Sequence, residues 1–232
     1  ALSEEELSAK KAKEAKQFQW LLYITVAISI IFSVAAFMLL PYALASLLRK
    51  VGVSEFGVTV AEAFVKLALF LGYMFLISRM KDIQRTFMYH GAEHKCINCV
   101  EHGHPLTVKY VRESSKEHKR CGTSFILIVM VISILMFMVI RVDTIWMRIL
   151  SRIILVPVIA GISYEVLQCA GRSNSKFMDL VSRPGMWMQG LTTKEPDDSM
   201  IEVAIAATEA VFDWREYLTE NFPGWEKQLE ES

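Results

Sequence analysis

The chain has 232 residues with 25 basic and 25 acidic side chains, so its formal net charge is zero and nothing argues for a nucleic-acid partner. Hydrophobic residues make up 53% of it and the mean hydropathy is +0.33, both high for a soluble domain. These apolar residues are gathered into blocks, which points to membrane spans rather than one water-soluble core.

In chain order, residues 3–16 are rich in Glu, Lys and Ala and predict a solvated helix leading into the first block. No cleavable signal peptide is expected, because a basic n-region, a short apolar h-region and a small-residue cleavage site are absent. Residues 17–48 carry no charge, and about 20 apolar residues suffice to cross a bilayer, so this run spans even with a bend at Pro41. The second run, 56–78, is interrupted by Glu62 and Lys66, which can pair at i,i+4. The third, 124–140, is bracketed by Arg120 and Arg141, is 17 residues long and can be extended by 121–123. The fourth, 145–169, contains Arg148, Arg152 and Glu165. Its two arginines need an outside partner or lipid phosphate, or they snorkel to headgroups. The uncharged parts of the second and fourth runs, 67–78 and 153–164, have 12 residues each, so they cross with their charges buried against partners or form re-entrant helices. After them, 170–198 contains Gly171, Pro184, Gly185, Gly190 and Pro196 and reads as loop with short turns. Ile201, Ile205, Thr208 and Phe212 at helical spacing predict an amphipathic helix over 196–218.

The expected fold is therefore an all-α membrane protein with four transmembrane, or partly re-entrant, helices in two hairpins. Its segments are a polar arm (1–19), a first membrane hairpin (20–78), a His/Cys-rich central segment (79–123), a second hairpin (124–169) and a C-terminal segment (170–232) with the amphipathic helix. Lys10, Lys11, Lys13 and Lys16, the central loop and the tail carry most of the lysines and arginines, whereas the hairpin tips carry only Arg49, Lys50 and Arg141. The positive-inside rule places arm, central loop and both termini in the cytoplasm of a cell with this protein in its inner membrane. The lipid bilayer is then the first partner; a second copy of the chain or other membrane proteins remain open. Cys96, Cys99 and Cys121 would lie in a reducing compartment, as ligands or reactive thiols rather than disulfides, while Cys169 reads as packing.

All five histidines and three of the four cysteines fall between residues 90 and 121. There His90-Gly91-Ala92-Glu93-His94 spells H-x-x-E-H, which on a helix stacks two imidazoles one turn apart with a carboxylate beside them. Two such nitrogens can close on one ion at the roughly 2.0–2.1 Å typical of zinc. In the inverted zincin motif the ion acidifies a water to a pKa near 7 and the glutamate takes its proton, so Glu93 is the candidate base. Zinc wants three or four protein ligands, and His118 and Cys121 are the better completion. Cys121 opens the third apolar run, where the helix dipole favours a thiolate. The same fact supports Cys121 as a nucleophile with His118 as its base, without a metal. A third pattern, Cys96-x2-Cys99-x4-His104, starts a zinc knuckle but meets Lys109 where the last cysteine would stand.

A longer set of motifs carries a family resemblance: His90 to Lys95, Leu106-Thr107-Val108, Ser115, His118, Arg120 to Phe125, Ala160 to Glu165, Pro184-Gly185, Gln189, Leu191-Thr192-Thr193, Glu195-Pro196, Asp198 and Glu202 to Ala206. With them the chain, from the first span to about Ala207, resembles the bacterial YqhQ-like family of uncharacterised integral membrane proteins, described as predicted metal-dependent enzymes. The resemblance implies that His90, Glu93, His94, Glu101, His118 and Cys121 belong to the family's pattern, with Glu165, Gln189, Thr192, Thr193 and Glu195, and that Cys96, His102 and His104 do not. It also implies a Gly-Gly-Gln-Ala-Val-type segment and a small domain ahead of the first span, neither of which stands in this sequence. The expected function is a divalent-metal, zinc-like site at the cytoplasmic face, serving metal-dependent hydrolysis with Glu93 as base. The alternative is a non-enzymatic scaffold or membrane-protein biogenesis factor with a structural metal.

Overall fold

The computed structural model describes residues 4–140, 145–173 and 175–229. Arg141 and the side chains of Arg148 and Arg152, on which two expectations rested, lie outside the described residues. Described residues form helices and connecting turns, with no strand among them. Four helical stretches are long and apolar enough to cross a membrane: Lys13–Val51, Glu55–Ile77, Gly122–Val139 and Ile153–Arg172. They correspond to the four apolar runs. The chain divides into two compact units, Ala1–Phe70 and Leu71–Ser232.

In the first unit, α1 (Glu4–Val34) passes through one widened π turn (Ala35–Leu39) into α2 (Leu40–Ser46). The wide turn has an identifiable cause. Pro41 lacks an N–H, and in a regular helix its ring would collide with the carbonyl of Phe37. The expected bend is thus absorbed by re-spacing the backbone rather than by a break. A tighter turn, Leu47–Val51, ends at Gly52 with φ 83°, after which α3 (Glu55–Ile77) begins. Glu62 and Lys66 pair at 2.5 Å, as their spacing predicts, so each charge on that apolar helix is neutralised by its neighbour.

The second unit has two layers. One holds α4 (Lys81–Glu101), α5 (Val108–Glu113), α9 (Asp198–Glu209) and α10 (Trp214–Asn221), followed by a short turn, Trp225–Leu229. Its core gathers Cys96, Cys99, Val100, Leu106, Val111, Ile201, Trp214, Leu218 and Trp225, with the two indoles edge to face at 5.3 Å. The other layer holds α6 (Gly122–Val139) and α7 (Ile145–Arg172), packed together as the second apolar pair, with α8 (Lys176–Thr192) against both.

Two local readings differ from this structure. Residues 170–198, expected to be mostly loop, contain the 17-residue α8. Ser175 caps it by accepting from the Met178 N–H, and Pro184 and Gly185 stay helical because Gly185 lies against Ser124 of α6. Packing there outweighs propensity. The amphipathic helix expected over 196–218 is two helices. Asp197 provides the first cap, accepting from the Met200 N–H at 3.0 Å. Asp213 then starts a new helix by accepting from the Arg215 and Glu216 N–H groups, which lets Trp214 turn into the core.

Candidate metal centre

α4 places its residues by face. Cys96, Cys99 and Val100 enter the apolar core, and a polar ridge of His94, Lys95 and Asn98 meets the backbone of 112–117. His94 Nδ1 donates to the Lys116 carbonyl at 2.8 Å. Lys95 Nζ donates to the carbonyls of Arg112 and Ser114, both at 2.8 Å. Asn98 donates to those of Ser115 and Glu117 at 2.7 and 2.9 Å. Five carbonyls of an irregular segment are thus satisfied by one helix. The buried Lys95 ammonium completes its set with Glu195 at 2.6 Å, so its charge is fully partnered.

This segment leads to Cys121, the cap of α6, whose sulfur accepts from the Thr123 N–H at 3.3 Å. Gln189 of α8, wholly buried, holds the approach: its Oε1 accepts from the His118 N–H at 2.9 Å, while its amide nitrogen donates to the His118 carbonyl at 2.8 Å and to Ser124 Oγ at 2.9 Å. Both backbone groups of one residue are clamped by one amide.

As a result His90, His94 and Cys121 offer three ligand atoms all within 4.8 Å of one another. His90 Nε2 lies 3.4 Å from Cys121 Sγ, and the imidazole centroids are 4.4 Å apart. Zinc-type bond lengths at a tetrahedral angle put a nitrogen and a sulfur about 3.5 Å apart, so this pair needs almost no adjustment. Each imidazole also has its far nitrogen fixed. His90 Nδ1 donates to the Thr192 carbonyl at 3.0 Å, just as His94 Nδ1 does to Lys116, leaving both Nε2 lone pairs for the centre. Carbonyl partners of this kind orient metal-binding histidines.

Electrostatics agree with the geometry. Burial pushes the Cys121 thiol up, but hydrogen bonds with His90, His94 and Thr123 together outweigh it and hold the pKa at about 5. His90 is raised, chiefly by the bond to Cys121, against burial, with smaller help from Thr192 and the charges of Cys121 and Glu93. Cys96 and Cys99 behave oppositely: burial drives them up to about 12 and about 11. They are core thiols, far from the thiolate a ligand requires. The donor set of two neutral imidazoles and one thiolate suits a borderline-soft divalent ion, and the group could hold a metal.

The remaining candidates stand elsewhere. His118 is outside the three-residue group, its ring 5.9 Å from that of His94. Its Nε2 pairs with Glu101 at 3.1 Å and its Nδ1 accepts from the Arg120 N–H at 3.3 Å; Glu101 also binds the Arg120 guanidinium. Both imidazole nitrogens are therefore engaged away from Cys121, which faces His90 instead. Glu93 is exposed on α4, reaching His90 through its charge. His102 bonds the Asn98 carbonyl, and His104 bonds Gln228 while stacking on Tyr110. Cys169 is exposed on α7 rather than packed.

The sequence matches one family model over residues 1–214, that described as protein of unknown function (DUF1385). The chain belongs to this family. It is also 39% identical over 206 residues to a Bacillus subtilis (strain 168) protein named "Uncharacterized protein YqhQ". That match covers 88% of this chain and 65% of the relative, so the chain spans just under two thirds of the relative's length. No solved structure matches.

Several residues of this family member that shape the site carry no recognisable metal signature: Lys95, Asn98, Gln189 and the carbonyls of Lys116 and Thr192. Gln189, Thr192 and Glu195 stood out only through the family motifs. Gly91, inside H-x-x-E-H, has a structural task, since a β-carbon there would run into the Lys194 carbonyl.

Proposed function

We propose that His90, His94 and Cys121 bind one divalent ion, zinc by its donor set, on the cytoplasmic side of a cell-membrane protein, and that the centre serves hydrolysis. The observation that carries this is the convergence of two carbonyl-oriented imidazoles on a thiol held at about 5. Among the described residues three protein ligands converge, rather than the four of a closed structural site, which favours catalysis over a scaffold. The ion would supply Lewis acidity. Cys121 and the two histidines hold it, the Thr192 and Lys116 carbonyls fix ring orientation, and exposed Glu93 beside His90 accepts the proton. The lysines and arginines of the net-basic central segment, against the few at the hairpin tips, support the cytoplasmic assignment.

A second reading has its own observation: at 3.4 Å, His90 Nε2 is placed to take the Cys121 thiol proton, an arrangement suited to nucleophilic catalysis. Three variants separate the readings. His90→Ala with His94→Ala should abolish stoichiometric metal and lower thermal stability; retained metal would refute the centre. Cys121→Asp keeps a ligand but removes the thiolate, so metal content and cellular complementation should persist, whereas a nucleophile role requires complementation to fail with metal retained. Glu93→Gln keeps shape without basicity and should leave folding and metal intact while complementation is lost. Wild-type complementation at matched expression would instead assign the metal to a scaffold.

A further inference from the structure

α8 has a face that the site does not use. Ser182, Gly185, Met188, Gln189 and Thr192 form its buried side, toward Ser124, His118 and His90. On the outer side Phe177, Leu180 and Trp187 are 68, 59 and 65% exposed, and Pro184 is exposed among them. At 100° per residue these four fall within one arc of about 80°. Lys176 and Arg183, both exposed, border that arc on one side. The helix thus has three sectors: one for the site, one apolar and open, one cationic.

Its placement says what covers the open sector. Asp179 holds Lys119 at 2.7 Å, Gly185 lies against Ser124, and Gln189 holds both His118 and Ser124. From Asp179 to Gln189, about 15 Å of helix, these partners all lie within residues 118–124. These contacts lie at the end of the pair where α6 begins and α7 finishes at Arg172. The apolar sector of α8 lies at the same end of the pair whose flanks are exposed at Ile126, Val131, Leu135, Ile154 and Val158. That apolar surface, a flanking pair of cations and a tryptophan match the acyl–headgroup boundary of a bilayer.

We propose that α8 is an interfacial helix: Phe177, Leu180, Pro184 and Trp187 insert into one leaflet of the membrane, while Lys176 and Arg183 bind anionic headgroups. The same helix carries Gln189 and Thr192 on its buried side, so the centre sits beside the membrane surface. This assignment rests on the apolar helices and the geometry of α8, not on a bound metal.

The test uses the full chain reconstituted in phosphatidylcholine vesicles, with and without phosphatidylglycerol. The Trp187 signal is the fluorescence difference between wild type and Trp187→Phe. Lipids brominated near the top of the acyl chain should remove most of that signal, and aqueous iodide little of it. Adding phosphatidylglycerol should strengthen bromine quenching, and Lys176→Gln with Arg183→Gln should abolish that increment. Quenching by iodide but not by bromolipid would place the face in water, and protection from both would mean that a second copy or another protein segment covers it; either overturns the proposal. Should Trp187→Phe not fold, a spin label at Leu180→Cys in a Cys169→Ser background reads the same face. There, greater relaxation by oxygen than by a water-soluble relaxant supports lipid, and the reverse overturns it.

Discussion

Cys121 shows how one residue's chemistry is set by its neighbours. The ordinary thiol value is near 9, and in the fold it is about 5, because two imidazoles and the first turn of α6 overcome burial. A depressed acid stabilises the folded state fully above its ordinary value and loses that contribution as pH falls toward the folded value. In metal-free protein the Cys121 contribution should accordingly be complete above pH 9 and fade between about 9 and 5. Thiolate absorbance of wild type minus Cys121→Ser is expected to titrate with a midpoint near 5, with Cys96 and Cys99 silent through neutral pH. A midpoint near 9 would remove the electrostatic basis of the centre. At this scale the sequence distinguished poorly among thiols. All three cysteines lie within 26 residues, but only the one that caps a helix beside two imidazoles is a candidate ligand; the others are core.

Between elements, the decisive contact is the close approach of the strand-like linker after α8 to the middle of α4. The Lys194 N–H donates to the Phe87 carbonyl at 2.9 Å, and the chain passes over Gly91 with no space for a β-carbon. That approach delivers the Thr192 carbonyl to His90. Gly91→Ala sets two effects in opposition: alanine favours α4 by about 1 kcal/mol, and overpacking against a fixed carbonyl costs about 1–3 kcal/mol. The clash should win. The variant is expected to melt at lower temperature and, with the His90 partner displaced, to bind metal about 10–100-fold more weakly. A higher melting temperature with unchanged affinity would show that the linker does not press on α4. The glycine was visible in the motif as a residue, but its reason was not, since the atom it makes room for is 103 positions away.

For the whole molecule, topology is the property to measure. The arm, central segment and tail, which carry most of the lysines and arginines, are expected on one side and the tip between α2 and α3 on the other. Native Cys99 is useless as a probe because it is fully buried. Glu113→Cys in a Cys169→Ser background offers an exposed reporter on α5, and Val53→Cys one at the hairpin tip. In intact cells an impermeant maleimide should label position 53 and spare position 113 until the membrane is opened. Labelling of 113 in sealed cells would invert the orientation and move the centre outside.

Hydropathy is a local quantity, so the all-helical class, the four apolar stretches and the Glu62–Lys66 pair were legible from residue order alone. So was the proximity of His90 and His94, because two imidazoles one helical turn apart are themselves a local pattern. What tertiary structure decided was which further side chain meets the two imidazoles, and its surroundings. His118 and Cys121 are equally good residue types three positions apart, and only the fold shows that Glu101 and Arg120 engage one while His90 faces the other. α8 was hidden for the same reason: proline and glycine argue against a helix locally, and the packing of Gly185 on Ser124 that sustains it joins residues 61 apart.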